Sequence, residues 1–107
     1  MIYHRELTMR RCYNSGPISG LSFLTALKRF DVADKEILLQ GYEPVNPMER
    51  TWGLRPSAPW WLHMVKDVAL LLSCSAIRLQ EGWQESRGCR IEERVARWCP
   101  WIRIIDK

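Results

Sequence analysis

Apolar positions follow two different periods along this chain. Short runs at 10–14, 42–45, 76–80 and 101–105 read as strands. Between them apolar residues recur at helical spacing. Leu24, Leu27, Phe30, Ile37 and Leu38 mark a helical stretch over 21–40, and Trp61, Met64, Val65, Val68, Leu71 and Leu72 share a face over 60–72. The middle of the first stretch is less regular, and Asp31 or Asp34 is placed to cap a second helical segment there. Gly41 is a helix stop, and Pro44 puts the second strand at a sheet edge because proline has no N–H for the ladder. Pro59 suits the first turn of the second helix. A third helix runs from Ser86 towards Trp98 and is ended by Pro100.

Strands alternating with helices predict an α/β fold. The expected arrangement is a flavodoxin-like or Rossmann-like parallel sheet of about four strands with helices on both faces. In such sheets ligands bind beyond the carboxyl ends of the strands, where strand order reverses. The loops after the first and third strands both belong to that edge, and both are rich in Ser and Gly. The segment 46–59 holds Pro47, Pro56, Pro59 and Gly53 and reads as a long loop, a candidate lid or partner contact.

The length of 107 residues fits one domain, expected over residues 9–107 with residues 1–8 as an N-terminal extension. Hydrophobic residues make up 47%, enough for a core, and Trp60, Trp61 and Trp98 lie on helical faces that read as buried. The net charge of +4 is mild and mixed along the chain, so it suits attraction of small anions or simple solubility better than a nucleic-acid interface. Cysteines at 12, 74, 89 and 99 have no C-x-x-C spacing, and His4 and His63 stand far from them, so no zinc site, other metal or cofactor is expected. Reduced thiols point to the cytoplasm. No signal peptide is visible and the longest apolar run, 68–72, is too short for a membrane span, so no membrane partner is expected.

The stretch from Gly82 to Glu92 concentrates the candidate chemistry. Ser86 is a good N-cap, Gly88 allows close approach to the backbone, and the start of a helix after a polar turn is a ready anion site. Glu92 stands just beyond that first turn. A carboxylate beside an anion site makes sense if it acts on the group that carries the anion. Tyr13 at the end of the first strand and Asp67 in the second helix complete the set. Singly, each has a plain structural reading: a core tyrosine with its hydroxyl at the rim, an aspartate paired with a cation, a glutamate favouring its helix N-terminus.

Together the motifs carry a resemblance. The run Tyr13-Asn14-Ser15-Gly16-Pro17-Ile18-Ser19-Gly20 resembles the opening Tyr-x-Ser-Gly-Pro-Ile-x-Gly of a small bacterial and phage family of unknown function. That family is similar to nucleoside 2-deoxyribosyltransferases and deoxynucleoside 5′-monophosphate N-glycosidases. The resemblance continues through Gly41-Tyr42-Glu43-Pro44-Val45-Asn46-Pro47, Trp60 with Asp67, and Gly82-Trp83, Ser86, Gly88 and Glu92, and spans residues 9–106. It implies double displacement at a sugar carbon. Glu92 matches the nucleophile that attacks the anomeric carbon. Asp67 matches the residue that positions it and handles the leaving base's proton, and Tyr13 supports the carboxylate and the sugar. Ser15, Gly16, Pro17, Ile18, Ser19, Gly20, Ser86 and Gly88 fall on the positions that hold the phosphate and substrate. The resemblance further implies a homo-oligomer, commonly a dimer, with the loop over 51–61 as a candidate contact. Three positions differ from the related pattern. Ser75 stands where the family has Asp, Ser19 where the glycosidases carry Arg, and His63 where a Tyr is common.

The function expected is therefore an enzyme, an N-glycosidase or deoxyribosyltransferase acting on a nucleoside or nucleoside 5′-monophosphate through a Glu nucleophile. The alternative is a non-catalytic nucleotide-binding or sensing module on the same fold. A nucleic-acid or protein interaction domain, suggested by Arg10, Arg11, Arg50, Arg55 and the tryptophans, is the weakest of the three readings.

Overall fold

Strand pairing organises the molecule around its first strand. A computed structural model describes residues 9–106, and the expected extension at 1–8 lies outside them. Among the described residues there are four strands, β1 (Arg11–Ser15), β2 (Glu43–Val45), β3 (Ala76–Leu79) and β4 (Arg103–Asp106), and three α-helices, α1 (Phe23–Leu39), α2 (Trp60–Leu72) and α3 (Arg87–Trp98). A 3-10 turn, Trp83–Glu85, precedes α3. The strands form one sheet in the order β2-β1-β3-β4, with every pairing parallel. Strand order therefore reverses between β1 and β3, and the loops that follow these two strands meet at the switch. No described helix is long and apolar enough to cross a membrane.

Alternation along β1 divides the core. Cys12 packs with Ile37 and Ala76 on the α1 face, while Tyr13 packs with Val45, Leu70, Leu71, Ile77, Leu79, Ala96 and Ile102 on the face covered by α2 and α3. The central strands β1 and β3 are buried on both faces, as a parallel sheet requires, whereas the edge strand β4 is largely exposed.

The local punctuation behaves as its chemistry dictates. At the end of α1, Gly41 takes φ +91°. Its N–H bonds to Leu38 O at 3.0 Å, and the Tyr42 N–H bonds to Ile37 O at 3.2 Å, so a glycine in the left-handed region turns the chain back to satisfy two carbonyls of the last turn. Pro44 lies on the edge strand β2, paired only with β1.

Three expectations are corrected. First, α1 is continuous through Asp31 and Asp34, and neither caps a second segment. Asp31 pairs with Lys35 one turn on, and Asp34 turns inward, where its two oxygens accept from Asn14 Nδ2 (2.8 Å) and Asn46 Nδ2 (3.0 Å). Second, the buried stripes match only in part: Phe30, Ile37, Met64 and Leu71 are buried as expected, and the other marked residues are not. The inner stripe of α1 is Ala26, Phe30, Ala33 and Ile37, with Leu24 and Leu38 exposed; α2 buries Met64, Lys66, Leu70 and Leu71, with Trp61, Val65 and Leu72 exposed. Small residues let α1 approach the sheet closely, and the larger leucines are left on the outside. Third, the tryptophans are not core residues: Trp60, Trp61 and Trp98 are 41%, 60% and 83% exposed. Leucine, isoleucine, tyrosine and alanine already fill the space between sheet and helices.

Asn14 is the centre of a polar lattice beneath the first loop. Besides Asp34, its amide donates to Phe30 O at 3.0 Å, and its oxygen accepts from Gln80 Nε2 at 2.7 Å. Asn14 is fully buried and Gln80 nearly so, which makes these bonds costly to lose. A Cβ at Gly16 would stand 2.2 Å from the Gln80 side chain. Gly16→Ala is expected to push Gln80 off Asn14 and to destabilise the protein by about 1–3 kcal/mol, read by chemical denaturation. An unchanged midpoint would show that Gln80 is not held by this bond.

Candidate functional site

The carboxyl edge of β1 delivers two hydroxyls to one carboxylate. Successive residues of a strand point to opposite faces, so Tyr13 and Ser15 share the face beneath α3. Tyr13 donates its hydroxyl to Glu92 Oε2 at 2.7 Å, and Ser15 donates to Glu92 Oε1 at 2.7 Å. Tyr13 and Ser15 are fully buried, and Glu92 is 5% exposed. The tyrosine hydroxyl is thus not at the rim. Glu92 reaches this position because α3 starts at the cleft edge: Ser86 Oγ accepts from the Cys89 N–H at 3.3 Å and fixes the first turn.

Burial pushes the Glu92 carboxyl up to about 7. The bonds from Ser15 and Tyr13 pull it down, the neighbouring Asp67 raises it, and Lys66 lowers it. Burial, reinforced by the Glu92 charge, holds the Tyr13 hydroxyl well above its ordinary value, so it remains a donor. Asp67 is also raised, chiefly by burial, against the pull of Lys66 and His63. The Lys66 ammonium lies 2.8 Å from Asp67 Oδ1 and donates to Pro47 O at 2.8 Å.

These groups underlie a cleft of about 930 Å³, large enough for a nucleotide-sized ligand. Gly16, Pro17, Ile18, Ser19 and Gly20 line one side, and Ser86, Gly88, Asp67 and Glu92 line another. The residues singled out in the sequence are therefore brought together, with two differences of role. Ser15 lies below the cleft lining, and its hydroxyl serves Glu92. Gly88 serves helix packing as well as the cleft, since a Cβ there would meet Met64 Sδ at 3.3 Å.

Sequence reasoning passed over several members of the site. Lys66 is one; its signal is a Lys-Asp pair set inside an apolar helical run. Arg29 and Arg87 also line the cleft, and the Arg87 guanidinium sits 4.5 Å above the Trp60 ring at its mouth. Cys89 faces the same cleft, but burial raises its thiol, so it is not poised as a thiolate. Among the described residues no cluster of three or more His, Cys, Asp or Glu side chains is arranged to hold a metal ion.

Fold and site together define a small α/β protein with a ligand cleft at the switch point of a parallel sheet and a buried carboxylate at its base. The chain belongs to the DUF4406 family, a domain of unknown function whose sequence profile matches residues 10–104. No curated protein matches it.

The raised Glu92 carboxyl has a consequence for stability. Below about 4.5, its ordinary value, Glu92 is protonated in both folded and unfolded chains. Between about 4.5 and about 7 the unfolded chain releases a proton that the folded chain retains, so stability falls as pH rises and then levels off. The full loss is on the order of 3 kcal/mol. Glu92→Gln is expected to be more stable than the wild type at pH 8 by part of that amount, with the gap closing towards pH 4.5. Thermal melts of both proteins across this range provide the check, and a gap independent of pH would contradict the assignment.

Proposed function

We propose that the protein cleaves the bond between base and sugar in a nucleoside or nucleoside 5′-monophosphate, with Glu92 as nucleophile. The observation that carries this reading is the Glu92 carboxylate, buried at the base of an open cleft and oriented by two hydroxyls. One oxygen of ionised Glu92 bonds to the anomeric carbon as the bond to the base nitrogen breaks and its electron pair leaves with the base. Asp67 in its protonated form supplies the proton that the base takes up. Water then attacks the same carbon, its proton returns to Asp67, and Glu92 is released as the carboxylate. Water as acceptor makes a hydrolase, and a second base makes a transferase.

Several features support the substrate class. The first loop and the start of α3 offer backbone amides at one end of the cleft, a setting that favours phosphate. Arg29 and Arg87 bring two guanidinium groups to that cleft, where the glycosidases carry an arginine at the position of Ser19. A phosphate fixed there would hold the sugar carbon near Glu92. The similarity of the motifs to deoxyribosyltransferases and monophosphate glycosidases adds to this reading. The same reading includes a homodimer, for which the exposed Trp52, Trp60 and Trp61 supply an apolar surface.

A second reading is a non-catalytic nucleotide-binding module. The observation that favours it is that both Glu92 oxygens already accept hydrogen bonds, as in a structural buried acid.

Incubation with each nucleoside and 5′-monophosphate, ribo and deoxy, separates the two. Free base read by chromatography is expected from the wild type, and a loss of at least about 100-fold from Glu92→Ala. Release should rise with pH through about 7 as Glu92 ionises. No release from any substrate, with or without an acceptor base, would leave the binding module as the function.

A further inference from the structure

Among the described residues Lys66 is the one buried cation lining the cleft, and its surroundings give it a definite task. It is 4% exposed, on a helix where an apolar residue would cost nothing to bury. Its ammonium forms an ion pair with Asp67 Oδ1 and donates a hydrogen bond to the carbonyl of Pro47 at the start of the 46–59 loop. Its side chain also lines the cleft beside Asp67 and Glu92.

The charges around Glu92 come from every element packed there. From β1, Tyr13 and Ser15 present neutral hydroxyls. From α3 comes Cys89, whose thiol is held protonated by burial. From α2 come Asp67, His63 and Lys66. Asp67 and Lys66 thus stand nearest to Glu92 in charge, and two buried carboxylates with no cation between them would not both ionise.

We propose that Lys66 is a positioning residue that ties Asp67 to the proline-rich loop and, as the cation beside both carboxylates, frees Glu92 to be the anion. The inference rests on the N-glycosidase reading only for the chemical use of that anion. The coupling itself belongs to the ligand-free protein. Without Lys66 the pair has no cation within it, and Glu92 retains its proton to higher pH. The Pro47 carbonyl also loses its buried donor, so the loop that covers the cleft is anchored through the same ammonium that tunes the site.

The test is the titration of Glu92 itself, followed by carboxyl 13C NMR on ligand-free protein, with its signal assigned by its disappearance in Glu92→Gln. Lys66→Met is expected to raise the Glu92 midpoint by about one unit or more, and Lys66→Arg to leave it near the wild-type value. Because Lys66→Met strands Asp67 in a buried position, the same comparison is made between Asp67→Asn and the double variant with Lys66→Met, in which no such charge remains. The double variant is expected to titrate higher than Asp67→Asn. Equal midpoints in both comparisons would overturn the proposal. A shifted midpoint in a protein that turns over no nucleoside would uphold it while removing the N-glycosidase reading, so the two fail separately.

Discussion

A glutamate that is almost fully buried must have its oxygens satisfied, and much of this small molecule is arranged to do so. Tyr13 and Ser15 reach Glu92 only because they alternate onto the same face of β1. That face is covered by α3 only because the chain, after β2, crosses back past β1 and lays β3 on its other side. The start of α3 is fixed in turn by the Ser86 cap. Moving the strand register by one residue would exchange Tyr13 and Ser15 for Cys12 and Asn14 and replace both hydroxyl donors to the carboxylate by a thiol and an amide.

The opposite face of β1 carries a second polar arrangement with a different purpose. Asn14, Asp34, Asn46 and Gln80 hold the ends of β1, β2 and β3 against α1, and so fix where the first loop leaves the sheet. One face of a five-residue strand thus orients the carboxylate, and the other anchors the start of the loop that lines the cleft.

What was legible in the sequence was local or carried by motif. Gly41, Pro44, Ser86 and Pro100 act through their own backbone chemistry, so the ends of elements and the edge strand could be read directly. The alternation of strands and helices was enough for the parallel sheet. The bond between Tyr13 and Glu92 joins residues 79 apart, and only the combination of motifs brought them into one site. The inner faces of α1 and α2 were read only in part because both helices are apolar over much of their circumference. Periodicity then does not say which side meets the sheet, and small Ala26 and Ala33 carry little hydrophobic signal although both are buried. Lys66 was passed over for a related reason. Its burial depends on a carbonyl from a distant loop, and no local pattern reports that.

The lattice around Asn14 also bears on how this chain can diverge. Asp34 accepts from two amides, and Asn14 both donates to Asp34 and accepts from Gln80. Changing any one of the four leaves a buried partner unmatched, whereas exchanging several in concert restores the match. These positions therefore form an epistatic set. A descendant lineage can replace them together or keep them together, and its record of accepted substitutions should show them covarying.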